Sequence, residues 1–278
     1  MTGLVETTTS ARSPFSKPRH RRVVNRSELR PSTRRWLGFI GVVVILGLWQ
    51  LFAWMHWVNP IIASSPIEVF KAIGRGTSNG TLWPAVGESA KLFGVGFVAS
   101  LLVGVVFGVL IGWFRTISAL LDPLVSLLYA APRIALIPLI TVWFGIGFKT
   151  QAVLVFLLSV FPILVNVAAG IDATGRDLVT VARSFLASDW QVLWEIAVPG
   201  ALPHFISGVR QGIAQSLIGV IVAEYLLGNN GLGGLIITAG QFLDSATVYL
   251  GILIVALAAL LLTGALRYLE KHLNRWQQ

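Results

Sequence analysis

The sequence predicts an all-α, polytopic membrane protein with about six transmembrane helices, and two observations carry that prediction. Hydrophobic residues make up 55% of the 278-residue chain and charged residues only 12%, at a mean hydropathy of +0.78. A water-soluble domain carries roughly 25% charged residues to cover its surface. Half of that excludes a soluble enzyme and a disordered chain alike. The second observation is that the charges are crowded out of discrete runs, each close to the ~20 apolar residues a helix needs to cross hydrocarbon.

The chain opens with a basic tail. Residues 1–35 hold nine of the 21 Lys/Arg against only Glu6 and Glu28, so most of the formal net charge of +9 sits there. Phe15 is the one aromatic before Trp36. Basic residues without interleaved stacking aromatics argue against nucleic-acid binding. Cysteine is absent, and His20, His56, His204 and His272 are scattered without metal-ligand spacing, so no metal site is expected. The expected organisation is a cytoplasmic tail over 1–35 and a transmembrane domain over 36–278.

No Asp, Glu, Lys or Arg lies between Arg35 and Glu68, and 36–57 is the first span, too long for a signal-peptide core and read as an uncleaved anchor. Residues 58–90 follow with Ile67, Val69, Phe70 and Ile73 at helical spacing, a short amphipathic helix on the membrane surface. Span two is the charge-free run 92–114. Span three opens at Asp122-Pro123, read as a cap with proline at the first helical position, and runs through Pro132, Arg133 and Pro138 to Phe144. Spans four, five and six cover about 151–170, 207–227 and 248–266. The tail places the N-terminus inside, and six crossings return the C-terminus, basic at Arg267, Lys271 and Arg275, to the same side. Both termini are thus expected in the cytoplasm.

The longest internal loop, about 171–206, reads as two short helices. Leu178, Val181, Ala182 and Phe185 form one apolar stripe, and Trp190, Leu193, Trp194 and Ala197 a second. Ser188 with Gln191 three residues later fits a capping box, and Pro199 and Pro203 are expected to end the second helix. The loop is either a pair of interfacial helices or a docking knob for a cytoplasmic partner.

At this loop the chain resembles the membrane subunits of bacterial ATP-binding-cassette (ABC) importers. Their signature is Glu-Ala-Ala, three residues, Gly, nine residues, Ile, one residue, Leu-Pro. Thr180-Val181-Ala182, Leu186, Ile196 and Val198-Pro199 fall in that register, with Ala182, Ile196 and Pro199 matching. The flanking Val-Pro-Gly-Ala-Leu-Pro203, Pro132-Arg-Ile-Ala-Leu-Ile-Pro-Leu139, Trp143-Phe-Gly-Ile-Gly147, Val222-Ala-Glu224 and Gly231-Leu-Gly233 look like the branch that takes up taurine, aliphatic sulfonates, nitrate and related solutes. The resemblance runs from about residue 60 to 275. It implies a type I importer permease of the bacterial inner membrane, for an organic or inorganic oxyanion such as a sulfonate, that pairs as a homodimer around one translocation pathway. Two cytoplasmic ATPase subunits would dock on 175–199 and bind ATP and Mg, with no cofactor in this chain, and an extracytoplasmic binding protein would deliver solute. The coupling residues implied are Thr180, Val181, Ala182, Arg183, Leu186, Asp189, Trp194, Ile196 and Pro199. Leucine at 186, where the signature has glycine, implies a differently built turn or a longer first helix.

No catalytic set and no Walker pattern occur, so the driving energy must come from another chain or from an ion gradient. A gradient-driven carrier or channel is the competing class, and it would need several paired ionisable residues at mid-membrane. Glu224, late in span five, either lines the pathway or forms a structural pair or a solvated outer position. Arg133, between two prolines, lines an aqueous path, pairs with Glu224 or Asp122, or snorkels inward. In span five, Glu224 is expected to face the pathway, Gln215 a neighbour, and Ser216 to be shared between them. Arg210 reads as a snorkelling or partner-facing charge, Asn229-Asn230-Gly231 with Gly233-Gly234 first as a turn and second as part of a mouth that meets a solute-delivery protein, and Gly104, Gly108 and Gly112 as a helix-packing stripe.

Overall fold

The computed structural model describes residues 31–55, 64–174, 176–228 and 230–273. The tail through Arg30, Trp57 at the end of the first expected span, Asn229 and Arg275 lie outside them. The chain forms two compact units, Met1–Ile45 and Leu46–Gln278. Of the first, the described part is the start of helix α1 (Pro31–Trp54); the packing that follows is that of the second.

The described residues form helices and no strand, in the order α1, α2 (Pro66–Ser78), α3 (Leu82–Trp113), α4 (Arg115–Ala130), a 3-10 turn (Arg133–Leu136), α5 (Ile137–Phe144) and α6 (Phe148–Asp172). After α6 come α7 (Arg176–Ser184), α8 (Asp189–Gln191), a π-helical turn (Val192–Ala197), α9 (Val198–Gly200), α10 (Leu202–Leu227), α11 (Gly231–Gln241) and α12 (Ser245–Leu273). Four of these, α3, α6, α10 and α12, are long and apolar enough to cross a membrane, or five spans if α4 and the segment 133–144, bent at 93°, count as one. The first expected span corresponds to α1, whose described apolar stretch is Ile40–Trp54.

The surface helix appears as α2: Ser65 accepts a hydrogen bond from the Glu68 amide at 3.2 Å, and Pro66 occupies the first turn, where its missing N–H costs nothing. Val69 and Ala72 are its buried residues, and they pack with Leu82, Ala246 and Leu250. Trp49 joins this group, donating from Nε1 to the Ser64 carbonyl at 2.8 Å and lying 5.3 Å from Tyr249.

Two boundaries differ from expectation. α3 begins ten residues before the charge-free run, so Glu88 and Lys91 ride on its first turns; its 32 residues span about 48 Å, well beyond the hydrocarbon thickness. Asp122-Pro123 does not open a helix. α4 starts at Arg115 after an extended Phe114, Pro123 sits in its interior, and Asp122 accepts from the Ser118 hydroxyl at 2.7 Å.

The centre of the protein is α6, packed between α3 and α10, with Leu154, Val155 and Ile163 fully buried. α3 runs parallel to α6 and approaches it on glycine. A methyl group built on Gly96, Gly104 or Gly108 would meet Val155, Ile163 or Val167 at 2.5–2.9 Å, and on Gly112 the Ala168 carbonyl at 2.7 Å. Apolar side chains gain little by leaving lipid for another helix, so close backbone approach and interhelical hydrogen bonds hold such contacts. Halfway along, the Ser159 hydroxyl donates to that of Ser100 at 2.8 Å, both fully buried. α10 runs antiparallel on the other side and presents Gly208, Gly212 and Gly219 to α6.

Gly108→Ala should lower the stability of the detergent-solubilised protein by about 1–3 kcal/mol, because Leu164 backbone cannot yield to a Cβ. Gly94→Ala, with nothing within 4 Å, should leave stability unchanged or slightly raised, as thermal unfolding will show.

Candidate coupling surface and translocation pathway

α7 closes as a Schellman motif: the Ala187 amide donates to the Ala182 carbonyl at 3.1 Å and the Leu186 amide to the Arg183 carbonyl at 3.0 Å. That geometry puts Leu186 at φ +62°, the left-handed position usually given to glycine. The turn is therefore built as a glycine would build it, and leucine bears the strain. The side chain projects away from the protein, 92% exposed. Ser188 then caps α8 with the expected box, its hydroxyl accepting from the Gln191 amide at 3.3 Å while the Gln191 side chain accepts from the Ser188 amide at 2.8 Å. Arg183 reaches across the turn to Asp189 at 2.9 Å, an exposed pair of small energetic weight.

The second apolar stripe divides. Leu193 and Ala197 are buried with Ile171 and Ala201, and anchor the segment to the end of α6. Trp190 and Trp194 stay exposed, edge to face at 5.4 Å. On α7, Leu178, Val181 and Phe185 are exposed as well. Of the remaining loop candidates, Thr180 and Pro199 are exposed, and Ala182 and Ile196 half-buried. Pro199 and Pro203 do not end the helix: each is the second residue of its segment, α9 and α10, where no helical N–H is required. A cleft of about 810 Å³ separates α7 from the α3–α4 corner, lined by Trp113, Arg115, Asp172, Thr180, Arg183 and Asp189 among others.

Arg133 opens the 3-10 turn at the bend of the broken span. Its Nη1 donates to the Leu158 carbonyl at 3.2 Å, near the middle of α6. Pro162 stands four residues after Leu158 and has no N–H to give it, so the helix leaves this carbonyl open. The Tyr129 and Phe161 rings lie 5.4 and 5.8 Å from the guanidinium carbon. Among the described residues Arg133 makes no ion pair, so neither Glu224 nor Asp122 is its partner.

Glu224 and Ser216 are turned into the protomer, 1% and 0% exposed, because the glycine face of α10 that meets α6 carries them inward. The open face of α10 carries Ser207, Gln211, Ala214, Ile218 and Tyr225, with Gln215 half-buried beside it. Glu224 accepts from the Ser89 hydroxyl at 2.7 and 2.8 Å and from the Gly233 amide at 2.8 Å. Ser89 in turn accepts from the Leu232 amide at 2.8 Å, and Glu88 from the Gly231 amide at 3.1 Å. Three side chains from α3 and α10 thus hold the first turn of α11, where free amides and the helix dipole favour negative charge. A Cβ on Gly231, at φ +70°, would collide with the Glu224 carboxylate, and one on Gly233 with its Cβ at 2.7 Å. Asn230 and Gly231, expected in a turn, lead directly into α11, and α11, Glu88 and Ser89 are additions to the expected scheme. Arg210, expected as a snorkelling or partner-facing charge, pairs with Glu270 of α12 at 3.0 Å.

Two outcomes are expected from this geometry. Glu224→Ala strands the Ser89 hydroxyl and the Gly233 amide, at about 1–3 kcal/mol for each buried group, and should speed deuterium exchange at 232–234 while leaving α12 unchanged. Leu186→Gly should relieve about 1 kcal/mol of backbone strain and slow exchange at 185–187.

Comparison with known proteins accords with these features. The family model for the binding-protein-dependent transport system inner membrane component matches residues 104–275, more than half of the chain. The chain is 31% identical over 252 residues to the taurine transport system permease protein TauC of Escherichia coli, covering 88% of this chain and 92% of the relative. It is 33% identical over 241 residues to the putative aliphatic sulfonates transport permease protein SsuC of Escherichia coli, covering 87% and 90%. In fold it is similar to a chain of the inward-facing MetNI methionine ABC transporter, with a TM-score of 0.57 at 18% identity over 68% of this chain and 94% of that one. With four or five membrane-spanning helices, an exposed two-helix loop and relatives that are transport permeases, this chain belongs to the binding-protein-dependent transport system inner membrane components, the permease subunits of ABC importers.

Proposed function

We propose that the chain forms half of the translocation pathway of an inner-membrane importer for a small oxyanion of the sulfonate class, working as a homodimer. Two cytoplasmic ATPase subunits, which bind ATP and Mg, dock on the α7–α9 segment. A binding protein delivers solute at the opposite, α11 end. Both termini lie in the cytoplasm, an orientation supported by the basic tail and by Arg267 and Lys271 at the end of α12. The solute class rests on the relatives named for taurine and aliphatic sulfonates.

The observation that carries the coupling role is the apolar surface of Leu178, Val181, Phe185, Leu186, Trp190 and Trp194, exposed on a segment that Leu193 and Ala197 tie to the end of α6. Such a patch marks an interaction site. Thr180, Ala182, Arg183, Asp189, Ile196 and Pro199 frame it. When the ATPase pair closes, the segment moves as a lever, and α6, its neighbours and the open face of α10 change which side the path faces. Arg133 stands on that path; Ser216 and Glu224 support its wall from the layer behind.

The test is a pull-down from membranes combined with uptake. Arg183→Asp and Trp194→Asp should each reduce the co-purifying ATPase about tenfold or more, as loss of a central interface side chain does, without shifting the thermal unfolding of the permease. A full ATPase complement with undiminished uptake in both variants would overturn the assignment.

A further inference from the structure

We propose that Arg133 is the residue of this chain that binds the oxyanion as it crosses the membrane, holding it by the free N–H groups of a guanidinium that two aromatic rings and one hydrogen bond already hold in place. The inference rests on the importer reading above and goes beyond it by naming the ligand-binding group.

The site is defined by what surrounds the guanidinium. The guanidinium carbon stands over the Tyr129 and Phe161 rings, 5.4 and 5.8 Å from their centroids, a cation–π setting. One Nη1 hydrogen bond goes to the Leu158 carbonyl that Pro162 leaves open, which fixes the group in rotation. A guanidinium has five N–H donors in one plane, so most of that edge is left without a protein acceptor. The side chain is only half-buried, so the edge is open to approach.

Charge makes the second part of the case. A cation at mid-depth in a bilayer is costly unless water or an anion compensates it. Among the described residues Lys71, Arg75, Arg183 and Arg210 have a carboxylate partner, while Lys91, Arg115, Arg133, Lys149, Arg267 and Lys271 have none; of these, Arg133 is the one set against the middle of a membrane-spanning helix. The two carboxylates closest to it in the expected scheme are committed elsewhere, Asp122 to Ser118 and Glu224 to Ser89 and Gly233. The counter-charge left to supply is a mobile one. A sulfonate presents coplanar pairs of oxygens that match two parallel N–H donors, a pairing arginine makes and lysine does not. Holding the guanidinium beforehand by the Leu158 carbonyl and the two rings reduces the orientational freedom lost on binding.

The experiment uses the full chain in lipid nanodiscs and in cells that express the native transporter. Phenylglyoxal modification of the Arg133 peptide, followed by mass spectrometry, should be slowed at least severalfold by ethanesulfonate and not by its neutral analogue ethyl methyl sulfone. In cells, Arg133→Lys should raise KM for ethanesulfonate about tenfold and Arg133→Gln about a hundredfold, the range for losing charged hydrogen bonds, with thermal unfolding of both variants near that of the unaltered protein. Equal modification with and without ethanesulfonate, together with unaltered uptake by Arg133→Gln, would overturn the inference while leaving the importer assignment in place. Cells that import no sulfonate, but whose Arg133 is still protected, would overturn the solute proposed above and leave the anion site standing. A purely structural Arg133 would instead lower unfolding temperature and maximal uptake in both variants without moving KM.

Discussion

The approach of α3 to α6 along Gly96, Gly104, Gly108 and Gly112 is the constraint on which the remaining packing depends. Because no side chain separates the two backbones there, Ser100 and Ser159 come within hydrogen-bonding distance at the midpoint. α6 is then flanked by glycine faces on both sides, from α3 and from α10, and becomes the fixed post of the protomer. Everything with a functional reading is hung from that post. Its Leu158 carbonyl holds Arg133, and its last turn holds Leu193 and Ala197 of the coupling segment. The α7–α9 segment and Arg133 are therefore attached to one and the same helix, at its end and near its middle.

Much of this was readable from the chain because the signals were local. The capping box of Ser188 and Gln191 spans three residues, the packing stripe at 104, 108 and 112 repeats every four, and the apolar runs are set by bilayer thickness. Features that rest on distant partners were not readable. α11 begins Gly-Leu-Gly-Gly, among the weakest of helix formers, and exists because Ser89 and Glu88, 143 residues earlier, satisfy its first amides. Pro162 could have pointed to an open carbonyl at Leu158 by counting back four, but not to the arginine 25 residues away that fills it. Which face of α10 turns inward is not legible locally for a similar reason: its polar residues lie on more than one face, and the glycines that meet α6 decide it.

Leu186 illustrates how a residue can depart from a family pattern without altering the geometry the pattern encodes. The hydrogen bonds of the Schellman motif dictate a left-handed residue at that position, and leucine adopts it at a cost of about 1 kcal/mol or more. Leu243, at φ +57° after α11, does the same. At 186 the exposed isobutyl group also enlarges the apolar patch of the α7–α8 segment. Strain and contact surface come from the same substitution.

The carboxylate of Glu224 joins parts of the chain that a ribosome makes far apart in time. Ser89 precedes it by 135 residues, an interval of about 7 to 27 s at ordinary rates of elongation. During that interval α3 already sits in the bilayer with Glu88 and Ser89 lacking their final partners. α3 can be threaded early but not locked early. Docking of α11 under α10 is then a late step in assembly, closed only when most of the polypeptide has been inserted, and a chain arrested before residue 224 would carry unsatisfied polar groups at one end of its longest helix.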